Sequence, residues 1–284
     1  MKNYQYILCL FCLITSYTYS QGISHIEHEV GIQAGIANYY GDLNNSFDYK
    51  GIGPAGTIFL RQNFGSRFAL KTSASIMHVH YKDEYSSDLF QKQRNLSFKT
   101  NITDITTQLE FNFLEFVKSV YYTKNGVPFT PYLSFGLGVF FFNPQAEYQG
   151  KTYNLQPLGT EGQTDPDYTG KTKYGLFNFT LVYGAGFKYH LGKNLSVGLD
   201  FNIRRTFSDY IDDVSGNYPQ VISLPEADKG ISYMLYDRSK ELGPAIGLPG
   251  KQRGTLDGND DYATFMLNIS WTFIKPFCPR DGGS

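Results

Sequence analysis

Ala263-Thr-Phe-Met-Leu-Asn-Ile-Ser-Trp-Thr-Phe273 decides the fold of this chain. Phe265, Leu267, Ile269, Trp271 and Phe273 share one parity, and Thr264, Asn268, Ser270 and Thr272 share the other. Successive side chains on a strand point to opposite faces, so this run has one apolar and one polar face. A strand of a soluble sandwich has the same look. What separates the two is whether the pattern recurs along the chain and what precedes it.

The pattern recurs. In His28–Gly41, Val30, Ile32, Ala34 and Ile36 oppose Gly31, Gln33, Gly35 and Ala37. Ile52–Asn63 sets Ile58 and Leu60 against Thr57 and Arg61. Phe68–His80 sets Phe68, Leu70, Ala74 and Ile76 against Lys71, Ser73 and Ser75. After a polar connection from Tyr81 to about Ile102, the residues Ile105, Thr107, Leu109, Phe111 and Phe113 alternate with Thr106, Gln108, Glu110 and Asn112. Pro131–Phe142, Asn178–His190 and Leu195–Thr206 repeat the arrangement. With the opening stretch this makes about eight strands of about 10 residues, the size of a small transmembrane barrel.

The connections alternate as well. Those after the second and sixth runs (Phe64–Arg67, Leu191–Asn194) are short and Glu115–Thr130 is intermediate, whereas those after the third, fifth and seventh are long. Short periplasmic turns and long outer loops are the outer-membrane pattern, and an even strand count puts both termini in the periplasm. Aromatic residues make up 17 % of the 284, with 23 Tyr and 23 Phe, which suits aromatic girdles at two membrane interfaces. Mean hydropathy is -0.32, as expected where half of each spanning strand faces a polar interior. A net charge of -1 offers no basic field for nucleic acid.

Met1–Ser20 combines a basic start, a short apolar core and small residues, and is read as a signal peptide cleaved after Ser20. Residues 21–280 are then the barrel, and the tail 281–284 resembles an added linker. Cys9 and Cys12 fall in the signal and lack the small residue that lipoprotein processing wants before them. Only Cys278 remains, so no disulfide or thiolate metal site can form within the mature chain.

An eight-stranded barrel has a lumen that side chains fill. Inner glycines (Gly31, Gly35, Gly136, Gly138, Gly184, Gly186, Gly198) make room, and Arg61, Lys71, Glu110, Lys188, Asp200 and Arg204 are expected to pair there as a lumen charge network. A plugged barrel follows, not a diffusion pore. His78 and His80 share a strand face, but no third ligand has informative spacing, so no metal is assigned. Asp165, Asp167, Asp212, Asp213, Asp260 and Asp261 offer paired carboxylates without a calcium-loop pattern. With no nucleophile elbow or phosphate loop either, no catalytic residue and no cofactor are assigned. Asp209–Tyr262, rich in Pro and Gly, reads as an exterior loop without a core of its own, or as a docking surface for a cell-surface partner.

Three segments carry a family resemblance. They are Asn38-Tyr-Tyr-Gly-Asp-Leu-Asn44, Arg94-Asn-Leu-Ser-Phe98 with Glu110-Phe-Asn-Phe113, and Asp209-Tyr-Ile-Asp-Asp-Val-Ser215. Together the chain resembles the PorG family of outer-membrane barrels of the Bacteroidota type IX secretion system. The resemblance implies a non-enzymatic component that tethers a periplasmic ring of PorK/GldK-type and PorN/GldN-type proteins to the outer membrane, supporting export and, where present, gliding. The ring would meet the short turns, so the expected contacts are Tyr121, Tyr122, Lys124 and Asn125, with Ser66, Arg67 and Lys193. An OmpA- or OmpW-like barrel for solute binding or passage is the alternative, and a surface hydrolase ranks third.

Overall fold

The structure is a computed structural model, which describes residues 26–46, 48–116, 127–164, 172–192, 194–219, 229–255 and 258–273. Strands β1 (Ile26–Tyr40), β2 (Gly53–Phe64), β3 (Phe68–Lys82), β4 (Ser97–Asn112) and β5 (Phe129–Phe141) come first. A small hairpin, β6 (Gln145–Tyr148) and β7 (Lys151–Asn154), precedes β8 (Phe177–Gly192), β9 (Leu195–Thr206) and β10 (Asp261–Phe273). Three helices lie in the long loops: α1 (Leu89–Arg94), α2 (Leu155–Leu158) and α3 (Lys229–Tyr236).

The ten strands form one sheet; setting aside the β6–β7 hairpin leaves eight, antiparallel in chain order. The β3–β4 pairing and the β1–β10 pairing close that sheet into a barrel. The β1–β10 seam runs in unbroken register from His28 opposite Phe273 to Tyr40 opposite Asp261. The stretch quoted first is thus the closing strand, and the expected fold class is borne out. Closure matters because an unpaired edge is untenable in hydrocarbon. Among the described residues no helix is long and apolar enough to cross a membrane, which says nothing of a β-barrel.

Parity holds around the wall. Ile32, Ile58, Ile76, Ile105, Leu137, Phe179 and Leu267 are all largely exposed on the outside, while Thr57, Ser73, Thr106, Gln108, Ser134, Asn202 and Asn268 are buried within. A surface this apolar over a polar interior is the inside-out pattern of a barrel in lipid. Phe68, Phe111, Phe129, Phe187 and Trp271 ring its short-turn end, and Phe141, Phe177, Phe179 and Phe265 stand near the other.

Above the apolar band the pattern inverts within single strands. On β3 the outward residues change from Leu70, Ala74 and Ile76 to His78, His80 and Lys82, while the inward ones change from Lys71, Ser73 and Ser75 to Met77, Val79 and Tyr81. On β4 the outer face carries Lys99, Asn101 and Thr103, and Phe98 and Ile102 turn inward. One strand therefore serves two solvents, lipid below and water above. The upper barrel holds an ordinary apolar core of Tyr39, Met77, Val79, Tyr81, Phe98, Ile102, Phe140, Phe142, Tyr262 and Met266.

One expectation is corrected. The polar connection expected from Tyr81 to about Ile102 is shorter: β3 continues to Lys82 and β4 starts at Ser97, because the inverted pattern still alternates. Asp209–Tyr262 contains α3 and shares its apolar contacts with its neighbours: Leu235 packs with Ala146 and Leu155 of the preceding loop, and Ile211 and Val214 join the main core.

Candidate functional site

The lower lumen holds a tier of buried charge. Arg61 bonds Glu29 on β1 and places Nε 2.9 Å from Glu110 Oε2 on β4. Glu110 also takes Lys188 from β8 and stands 3.7 Å from Lys71, which reaches Asp200 at 3.4 Å. One step up, Arg204 meets Asp104 at 2.6 Å, with the Tyr262 ring 5.5 Å from its guanidinium. The structure thus gathers Arg61, Lys71, Glu110, Lys188 and Asp200 around one point and sets Arg204 above them. Sequence reasoning missed Glu29 and Asp104. Glu29 lies on the inward parity within the run His28–Gly41, and Asp104 lies one step before the run that starts at Ile105, so following the parity would have found both.

Aromatic rings complete the tier. Arg61 lies 4.8 Å from the Phe59 ring centre and Lys188 4.2 Å from that of Tyr132. Each ring needs a glycine beside it. A Cβ on Gly31 would stand 2.7 Å from Phe59 Cε1, and one on Gly186 would overlap Tyr132. Glu110, Arg61, Lys71 and Lys188 are at most 2 % exposed in their side chains. The apolar core lies above this tier.

The second site is the cap on the long-loop end, built by the segments that carry the family resemblance. Asp88 caps α1 by accepting from Phe90 N at 2.7 Å, and Asn95 ends the helix in the left-handed region at φ 59°. This delivers Arg94 in a fork from Nε and Nη2 onto Asp83, both bonds 2.7 Å; Nη1 donates to the carbonyl of Arg253, and Nη2 also reaches that of Asp42 at 3.3 Å. Leu96 and Phe98 enter the core, and Ser97 accepts from Arg238 at 2.8 Å. In the first segment, Asn44 Nδ2 donates to Tyr39 O at 2.8 Å and Leu43 is buried. In the third, Tyr210 stacks on Tyr174 at 4.4 Å, and Ile211 and Val214 are buried.

At the centre Tyr39 stands between two carboxylates. Its hydroxyl lies 2.6 Å from Asp212 Oδ2 and 2.8 Å from Asp260 Oδ1, and its ring meets Phe98 edge-on at 4.8 Å. One phenol hydrogen cannot serve two acceptors, so one of these contacts calls for a proton on a carboxyl. Burial pushes the carboxyls of Asp212 and Asp260 well above the ordinary range, and the nearby Asp42 and Asp209 add to it. Backbone amides take the other oxygens: Val214 N donates to Asp212 Oδ1 at 2.9 Å and Ile211 N to Asp260 Oδ2 at 2.7 Å.

Asp213 faces the opposite way from Asp212. It is positioned by a left-handed backbone at φ 68°, accepts from Tyr174 and Thr160, and lies 3.9 Å from Arg253. Burial lifts its carboxyl to about 6, against the pull of Arg253. Arg253 also bonds Glu161 at 3.0 Å. The paired carboxylates read from sequence are therefore not pairs. Asp212 and Asp213 serve different partners, Asp261 accepts from Thr206 N at 3.2 Å, and Asp165 and Asp167 lie outside the described residues. Among the described residues no three His, Cys, Asp or Glu side chains are grouped to hold a metal ion. His78 and His80 stack at 5.6 Å on the outer wall, with His78 Nδ1 2.8 Å from Asn101 Oδ1.

At the short-turn end, Arg67 donates to Phe113 O at 2.9 Å and stands 3.5 Å from Glu115, while Asn112 Nδ2 donates to Ser66 O at 3.2 Å. The β2–β3 turn is braced against the start of the next connection. Tyr121, Tyr122, Lys124, Asn125 and Lys193 lie outside the described residues.

Comparison with known proteins adds a family. The model described as "Domain of unknown function (DUF6089)" matches residues 2–228, and the chain belongs to that family. Among the curated proteins no relative matches. Solved structures with a similar outline are barrels. Neisserial surface protein A is 11% identical, with 87% of this chain and 97% of that one covered at a TM-score of 0.39. The attachment invasion locus protein Ail of Yersinia pestis is 9% identical, with 88% and 99% covered at 0.38. OprG of Pseudomonas aeruginosa is 9% identical, with 88% and 98% covered at 0.37.

Proposed function

We propose that this chain is a non-enzymatic anchor in the outer membrane. By its resemblance to the PorG family, it holds the periplasmic ring of PorK/GldK-type and PorN/GldN-type proteins of a type IX secretion system and so supports export. The observation that carries the anchor reading is the solid lumen: a paired charge tier below, an apolar core above, and a folded cap over both. A barrel filled in this way offers solutes no path, and its use is mechanical or adhesive. The ring would meet the short turns on the periplasmic side, with both termini beside it.

Affinity purification of the barrel from outer membranes is expected to recover the ring lipoprotein, and Tyr121→Ala with Tyr122→Ala to reduce that recovery without changing heat-modifiable gel mobility. Consistent absence of the lipoprotein from an intact barrel preparation would sink the tether reading. Planar-bilayer recordings test the anchor itself; reproducible conductance would favour an OmpA- or OmpW-like role in solute passage.

A further inference from the structure

We propose that the outer wall of β3 and β4, just past the apolar band, binds the phosphorylated headgroup of a membrane lipid at the long-loop end. This goes beyond the tether and rests only on the barrel crossing the membrane at its apolar band.

The register places the change of chemistry at one level. Ile76 pairs opposite Thr103; the next outward pairs are His78 with Asn101, His80 with Lys99, and Lys82 with Ser97. The β6–β7 hairpin joins β4 through Lys99 opposite Gln145 and walls off a groove of about 210 Å³ that includes His78, His80, Lys82, Lys99 and Ala146. Lys82 is shared with an adjoining hollow of about 290 Å³ that reaches Arg238. On the same outer face below the groove stand the exposed Ile76 and Ile105, and the groove itself carries the ammonium groups of Lys82 and Lys99.

An occupant must match both ends. Acyl chains would run along Ile76 and Ile105, and an anionic head would sit between Lys82 and Lys99, whose stems can lie on the wall while their heads reach the interface. A phosphate monoester suits two point-charge donors with imidazoles beside them. The carboxylates nearby leave room for it. Glu147 lines the groove and stands 3.8 Å from Lys99, which also donates to Thr152 Oγ1 at 3.2 Å, but at 63% exposure its carboxylate can swing away for a phosphate. Glu84 borders only the neighbouring hollow, and Glu241 is held by Arg238 at 2.8 Å. On the far wall, Arg205 stands opposite Asp261, so its charge is offset by its own neighbour.

The test uses the full chain in phosphatidylcholine nanodiscs doped with a bis-phosphorylated glucosamine lipid or its dephosphorylated counterpart, with retained lipid counted by native mass spectrometry. The chain is expected to retain the phosphorylated lipid selectively. Lys82→Gln with Lys99→Gln should lower retention about thirtyfold, from two lost surface charges. Arg205→Gln should leave it unchanged, and excess inorganic phosphate should fail to displace it. Equal retention by the double variant overturns the proposal. So does equal loss in Arg205→Gln, which would mean diffuse attraction, and so does displacement by inorganic phosphate, which would mean a free-anion site. Heat-modifiable mobility of each variant confirms that the barrel is intact.

Discussion

The charge tier of the lumen and the acid cluster of the cap are both sealed from water, but they reach neutrality by different routes. In the lumen four cations, Arg61, Lys71, Lys188 and Arg204, face four carboxylates, Glu29, Glu110, Asp104 and Asp200. In the cap Arg94 is taken by Asp83, and Arg253 by Glu161 and Asp213, which leaves Asp212, Asp260 and Asp42 around one tyrosine. Side chains neutralise the first region and protons help neutralise the second.

The largest test of this contrast is Glu110→Ala, which strips Arg61, Lys71 and Lys188 of their shared partner. Breaking a buried pair costs about 3–5 kcal/mol, and the urea midpoint of the barrel, read by heat-modifiable mobility, should fall accordingly. Next, Arg253→Met leaves Glu161 and Asp213 without their cation, a loss of about 3 kcal/mol confined to the cap. Limited proteolysis should then cut within the exterior loops while the barrel keeps its mobility; global unfolding would show that the two regions are one cooperative unit.

The pH test separates them directly. Asp213 is raised in the folded cap to about 6, so the stabilisation is complete below the ordinary carboxylate range and is lost as pH climbs through about 6. The effect is on the order of 2–3 kcal/mol for this group alone. Asp212 and Asp260 are shifted the same way and add to that loss as pH rises. Hydrogen exchange across 209–215 should accelerate over that range while the lumen strands show no matching step.

Tyr39→Phe removes the shared hydroxyl and should weaken the cap by about 1–2 kcal/mol in the same exchange measurement. The smallest effect is expected from Arg67→Ala at the exposed turn, below about 1 kcal/mol in the urea midpoint.

The wall of the barrel was legible in the sequence because a period of two needs only neighbours to reveal it. Ile105 through Phe113 announce a strand by themselves. The upper part of the same strand did not, because Phe98 and Ile102 point inward where the lower strand has Gln108 and Glu110, and a reading tuned to one solvent stops where the other begins. The cap was illegible for a different reason. Tyr39 finds Asp212 and Asp260, and Arg94 finds Arg253, across separations that no local pattern encodes. The segments behind the family resemblance were visible as words, but what they build became plain only when Arg94, Tyr39 and Asp212 were seen in one place. Ser66 and Arg67, expected as ring contacts on a short turn, are also bonded to Asn112 and Phe113.

The seam between β1 and β10 has a mechanical consequence. Its antiparallel strands put His28 beside Phe273, both at the short-turn end. Tension pulling the two termini apart would therefore peel this seam one residue pair at a time, the geometry of a zipper and the weakest way to load a sheet. Tension entering through a closed turn such as Phe64–Phe68 would instead be shared by two strands paired on both sides. A molecule that bears load in the membrane should be gripped by its turns and left slack at its ends.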